Sequence, residues 1–564
     1  MPDHRSCPLF WLPLLLCGTL SVAAEPPPPA PLHGRIDALI DAKRLAAGLP
    51  AAGLCSDAEF VRRIHLDLAG MIPTAEQARV FLDDAAPDKR RRLIDSLLTS
   101  PDHAIHQARV FDVMLLERRT PSGGTTNDVP PAMWRDYLAE AFAENRPWDV
   151  MAREILGGDG TDEKRGAAVR FYLARDVNAH QLTRDVGRLF LGIDLQCAQC
   201  HDDTRFPDYR QADYYGLYAF LERSKLHPVK PKGAVLTETA AGTTKFTSVF
   251  TAKSAETAPR LPGDRMIADP PVAKDAEYRV KPAPNVRGIP AYSRREKLAE
   301  VLPRPETGAF AANLANRLWA QMLGRGLVNP LDLRHAGNPP SHPELLDVLA
   351  TWLLDHGYDM RGLLREIALS NTYQRSSLLP EGASGLPEEV FAVAKLRGLS
   401  PEQFRWSVLQ ATGRIGMHLA RLDAQPPKPD EAALPEWKLR LNRLEALDRP
   451  SAPLMTVLAG LPGQAESGFQ PTVDQALHLM NSAKFMPLLG AEPGTTLAKL
   501  AAIPEPGTAA EELYLQVLSR RPAPEETAAV TATLSAAASP AERADALKPL
   551  LWGLLLSAEF RLNH

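Results

Sequence analysis

Apolar residues recur along most of this chain at spacings of three and four, the period of helices that bury one face. Phe60, Ile64 and Leu68 form one such stripe, and Gly70 follows where a left-handed helix cap would sit. Helix starts are marked as clearly. Ser56 with Glu59, Thr74 with Gln77, Ser341 with Glu344, Ser400 with Gln403 and Ser539 with Glu542 stand at capping-box spacing. In that arrangement a hydroxyl and a later side chain satisfy the open N–H groups of a first turn. The same periodicity predicts helices over 89–98, 132–144, 147–156, 181–190 and 211–221, with Phe310, Leu314 and Leu318 on one face of a further helix. An amphipathic helix is expected over 343–355 and a closing apolar helix over 547–563, docked rather than frayed.

Between the helical stretches the pattern changes. Residues 225–291 are rich in Pro, Thr, Lys and Ala, and 245–250 alternate polar and apolar positions as a short strand does. The expected fold is therefore mainly α. Two helical domains, at 31–223 and 292–564, are joined by a Pro-rich connector at 224–291 with room for two strands. A chain of 564 residues is long enough for more than one core.

The first residues alter the compartment. His4 and Arg5 precede an apolar run over 9–22, and Val22, Ala23 and Ala24 precede Glu25 and a run of prolines, which predicts an export signal over 1–24. The run is shorter than the ~20 residues a bilayer crossing needs, so no transmembrane helix is expected in the mature chain. The expected location is the periplasm or another exported compartment. A net charge of −4, with basic and acidic residues mixed throughout, excludes the basic stripe that nucleic acid would require. Cys7 and Cys17 leave with the signal, and the remaining Cys55, Cys197 and Cys200 are too few for a disulfide framework. Cys55 reads as a buried apolar residue.

Cys197-Ala198-Gln199-Cys200-His201 is the strong chemical signal. Two cysteines three apart lie one above the other on a turn, so both sulfurs reach the vinyl groups of one porphyrin while the adjacent histidine turns to the iron. One covalent c-type haem is the expected cofactor, with Cys197, Cys200 and His201 holding it and His201 as proximal ligand. Phe206, Tyr209, Tyr214, Tyr215, Tyr218 and Phe220 crowd the following stretch, to pack against a macrocycle or simply to fill a core. The sixth iron position is open to His180, to Met266, or to neither. Two other readings stand beside haem: a zinc site completed by His180, Asp202 or Asp203, and a Cys197–Cys200 disulfide. Asp332, His335, Asn338 and His342 also lie close in sequence, yet they read as a turn leading to the Ser341 cap. No phosphate-binding glycine loop, nucleophile elbow or zinc-protease motif is present, so no catalytic nucleophile is named.

Several stretches resemble a known pairing. Phe60 to Gly70 with Ile72-Pro73-Thr74, then Asp88-Lys89-Arg90 and Leu93-Ile94-Asp95, then Phe190-Leu191-Gly192 running to Asp202, resemble the planctomycete cytochrome-like domain, domain of unknown function 1549. Asn316 to Trp319, Gly324 to Val328, Asn338-Pro339-Pro340, Leu477 to Ser482, and Ser557 to Phe560 with Asn563-His564 look like its C-terminal companion, domain of unknown function 1553. The resemblance implies a c-type haem through the motif and leaves the biochemical role open. The chain departs from it in reading His201-Asp202-Asp203-Thr204 where many members have His-Asp-His-Pro. The function expected is electron transfer, or the haem part of an oxidoreductase system, with a redox or other exported partner. The alternatives are a non-haem metal or disulfide protein and a non-catalytic scaffold or surface-binding protein.

Overall fold

The computed structural model describes residues 30–120, 129–203, 206–229, 233–426, 429–456, 458–463 and 485–564; the expected export signal and the 477–482 motif lie outside the described residues. The fold is mainly helical. The helices at Lys89–Leu98, Gln211–Leu221 and Pro343–Asp355 fall where the apolar period places them. Reciprocal capping boxes form at Thr74, Ser400 and Ser539, and Ser56 accepts the Glu59 N–H. Ser341 is not a cap. His342 holds that position, and Pro343 at the first helical residue leaves one N–H fewer to satisfy. The helix expected over 181–190 is Ala179–Val186 and then widens into a π turn at Gly187–Leu191. The closing helix ends at Leu556, and a short turn at Ala558–Arg561 leads into a strand, Leu562–Asn563, paired with Arg397–Gly398.

The connector holds three antiparallel ribbons: Ser224–Pro228 with Ala234–Glu238, Thr244–Thr247 with Ser254–Thr257, and Tyr278–Val280 with Ile289–Pro290. On either side of it the two halves of the chain share one hydrophobic cluster, which runs from Leu32 through Phe190 and Trp319 to Leu444. Trp148 lies between Phe190 of the first half and Phe310 of the second, with ring centroids 5.6 and 6.3 Å away. A second cluster gathers Leu66 and Ile72 with Phe404, Leu513, Leu551 and Phe560.

The Asp57–Ala69 helix touches both clusters. Its Phe60, Ile64 and Leu68 stripe is buried as the pattern predicts, and so are Arg62, Arg63, His65 and Asp67. Charges in such a place must find partners. Arg62 donates to the Phe560 carbonyl at 2.6 Å, and Arg63 to those of Tyr373 and Arg375 at 2.7 and 2.8 Å. Asp67 accepts from Arg397 at 2.9 Å, the Tyr373 hydroxyl at 2.9 Å and Asn563 at 2.7 Å. Replacing Asp67 with Ala leaves the half-buried Arg397 without its counter-charge and the buried Tyr373 and Asn563 without their acceptor, so a loss of about 3 kcal/mol is expected in chemical denaturation; a loss under 1 kcal/mol would show the cluster to be incidental.

Three imidazoles line the same helix. The Nδ1 atoms of His65 and His103 lie 2.8 and 2.9 Å from the Val61 and Leu68 carbonyls, and His106 bonds the Asp67 main chain. Burial lowers their pKa values to about 4, 4 and 3, with the charges of His103 and Arg109 adding to the effect on His106. Unfolded histidine titrates near 6.5. Between these values the unfolded chain binds protons that the folded chain refuses, so stability present above about pH 6.5 is lost as pH falls towards 4. The loss at pH 5 is about 2 kcal/mol per site. Unfolding measured at pH 7.5 and pH 5 should show it, with a shallower fall in His106→Gln; a fall as steep as the wild type's would exclude His106 as a cause.

Candidate functional site

The cysteine turn follows a sharp reversal. Gly192 takes a left-handed conformation, φ 70°, at the end of the π turn, where a Cβ would stand 2.8 Å from the Asn313 side-chain oxygen. Ile193 then bridges to Leu333, and buried Leu195 and Ala198 anchor the next residues. Cys197–Gln199 is one 3-10 turn. With Ala198 facing inward, Cys197 and Cys200 are both exposed, and no disulfide joins them.

The polar residues after the turn shape the loop. Asp202 accepts the Gln211 N–H at 2.8 Å, capping the next helix, and buried Asp203 accepts the Phe206 N–H at 3.2 Å. Gln211 Nε2 lies within hydrogen-bond distance of the Gln199 and Thr247 carbonyls, and Val249 N–H donates to the Cys200 carbonyl at 3.0 Å. The Thr244–Thr257 hairpin is thereby fixed against the turn.

His201 Nδ1 stands 2.6 Å from the Asp202 carbonyl oxygen. A carbonyl only accepts, so Nδ1 carries the proton and Nε2 keeps its lone pair, the tautomer that a metal-binding imidazole requires. The Phe250 ring lies 4.4 Å from the imidazole. This neighbour was not legible in the sequence, where 245–250 reads only as a strand and Phe250 sits in the turn beyond it.

An aromatic wall rises from the Gln211–Leu221 helix beside the turn. Tyr215 stacks on Phe246 at 4.8 Å and Tyr218 on His180 at 4.5 Å, while His180 Nδ1 is 2.8 Å from the Tyr214 hydroxyl. Burial raises the phenol pKa values of Tyr214 and Tyr215, and the charge of nearby Cys200 adds to both. Burial and the charge of Arg184 lower that of His180. Met266 is 60% exposed on the loop closed by the Ile267 N–H bond to Pro259. Of the crowded aromatics, Phe220, Tyr214 and Tyr209 are core residues, whereas Phe206, Tyr215 and Tyr218 are half-buried.

His335 and Asn338 close a turn, with the Asn338 N–H donating to the His335 carbonyl at 2.9 Å, as expected, but the side chains of Asp332, His335, Asn338 and His342 do not converge on one point. Asp332 pairs with Arg188 at 3.0 Å and with Arg317, His335 stacks on Phe206 at 4.0 Å, Asn338 donates to the Leu333 carbonyl, and His342 is buried beside Phe391. Among the described residues, no three His, Cys, Asp or Glu side chains converge as a metal-holding group. No helix among them is long and apolar enough to cross a membrane.

A helical domain with an outward Cys-x-x-Cys-His turn, continued through hairpins into a second helical half, defines the class. Residues 35–225 match the family described as PSCyt2, protein of unknown function (DUF1549), and residues 294–534 match PSD1, protein of unknown function (DUF1553). The chain belongs to the proteins that carry a DUF1549 domain followed by a DUF1553 domain. No curated protein and no solved structure matches it.

The exposures predict thiol chemistry. In haem-free, reduced protein beginning at Glu25, an alkylating reagent should modify Cys197 and Cys200 in the folded state. Cys55, 4% exposed and with its thiol pKa raised by burial, should react only after unfolding. Peptide mapping that finds Cys55 labelled first would contradict the placement of the turn.

Proposed function

We propose that this is an exported electron-transfer protein, or the electron-transfer part of an oxidoreductase assembly, that carries one c-type haem. Cys197 and Cys200 are the attachment residues and His201 is the proximal ligand. The observation that carries this reading is the turn itself. Both thiols face outward from one 3-10 turn, and the next residue is an imidazole whose Nδ1 is held by the Asp202 carbonyl, leaving Nε2 to bind. Such a group, when bound, supplies a one-electron couple whose potential follows from its axial ligands and its surroundings.

This chain's residues have separable tasks. Leu195 and Ala198 seat the turn, Asp202 sets the imidazole tautomer through its carbonyl and caps the following helix through its carboxylate, and Gln211 ties turn to hairpin. His180 is the favoured distal candidate over Met266, because it lies on the wall formed by Tyr214 and Tyr218 whereas Met266 is exposed on its loop. The zinc reading is disfavoured because Asp202 and Asp203 already serve the loop and, among the described residues, no group of three donors converges there. Export rests on the basic, apolar and small-residue order of 1–24.

Protein made in a host able to attach haem should show a haem-stained band on a denaturing gel, because thioether bonds survive unfolding whereas a held metal ion is lost with its site. Cys197→Ala with Cys200→Ala should abolish the band, and His201→Ala should alter the visible spectrum. A colourless wild-type band from protein with stoichiometric zinc, or with a mapped Cys197–Cys200 disulfide, would end this reading.

A further inference from the structure

The hairpin beside the turn lies between the two matched stretches, and its tip departs from ordinary surface chemistry. Val249 and Phe250 are 65% and 70% exposed, adjacent in sequence, and placed against the Cys200 main chain and the His201 ring at the end of the turn that bears the two exposed thiols. At about 25 cal/mol per Å² of apolar surface, leaving a valine and a phenylalanine in water forgoes burial energy that a covering apolar group would recover. The tip is also held in place. The Val249 N–H bond to Cys200, the Gln211 bond to Thr247, and the Thr247–Ser254 hydroxyl contact at 2.8 Å keep it in register with the turn.

We infer that Phe250 is a positioning residue for His201, and that with Val249 it forms the apolar cover over the side of the turn from which Cys197 and Cys200 project. The inference rests on the haem reading above for its occupant. The imidazole is constrained in two ways, by its Nδ1 bond to the Asp202 carbonyl and by the Phe250 ring 4.4 Å from its centre. Because the hydrogen bond acts at Nδ1 and the ring lies against the imidazole, Nε2 is not consumed by either. Were an iron held at Nε2, rotation of the imidazole would be limited by this ring-on-ring contact, and the same phenyl group would shield one face of the imidazole from water. Orientation of an axial ligand and exclusion of water are both levers on haem potential.

The test compares the wild-type mature chain with Phe250→Ala and Phe250→Tyr. In haem-free protein, NMR of the His201 ring should show a ring-current shift that disappears in Phe250→Ala and persists in Phe250→Tyr. In haem-loaded protein, Phe250→Ala should keep its denaturation-resistant stain but show a lower midpoint potential, since water favours the more highly charged ferric state, together with an altered ferric spectrum. Phe250→Tyr should restore both. Unchanged His201 resonances in Phe250→Ala, or a loaded variant with wild-type potential and spectrum, would overturn the inference. Absence of covalent haem from the wild type would instead sink the function reading and leave the NMR result to judge the contact alone.

Discussion

Burial of ionic groups on the Asp57–Ala69 helix is the constraint on which the remaining architecture depends. A helix with one apolar stripe needs one wall, but a helix buried on every side needs a hydrogen-bond partner for each polar group it carries. Those partners come from the other half of the chain: the Phe560 carbonyl for Arg62, the Tyr373 and Arg375 carbonyls for Arg63, and Arg397, Tyr373 and Asn563 for Asp67. The Arg-Arg-x-His-x-Asp spacing within the family resemblance thus has a mechanical role. It joins a helix of the DUF1549 stretch to Tyr373, Arg375 and Arg397 of the DUF1553 stretch, and to Phe560 and Asn563 beyond it, by donors and acceptors that apolar packing alone would not place.

A separate set of contacts between the halves positions the cysteine turn. Gly192, Ile193 and Arg188 meet Asn313, Leu333 and Asp332 across the junction of the halves, so the chain leaving the π turn has its direction set by the second half. The hairpin from the connector then closes against the turn through Val249 and Gln211. Three regions distant in sequence therefore define one small surface, and the residues carrying the chemical signal occupy only its centre.

Much of the secondary structure was legible because period and caps are local properties. The Gln211–Leu221 helix and the boxes at Thr74 and Ser400 follow from residues within a turn or two of one another. Ser341 misled because its spacing was right while two prolines and His342 rearranged the start, and its hydroxyl lies 3.1 Å from His342 Nδ1 instead. The closing strand was missed because a two-residue pairing with Arg397–Gly398 leaves no periodic trace. At the site, Cys197, Cys200 and His201 were legible from spacing. The His180–Tyr218 stack and Phe250 were not, since ring contacts between separate segments have no one-dimensional signature.

The separation between Arg62, Asp67 and their partners sets an order of events during synthesis. Residues that accept from or donate to this helix follow it by as many as 501 positions. A nascent chain therefore holds an early segment rich in unsatisfied ionic groups until nearly all of it has been made, and such long-range closure is slow to form. Completion of the core is thereby tied to late synthesis: the early helix cannot lock prematurely, because its clasp has not yet been made.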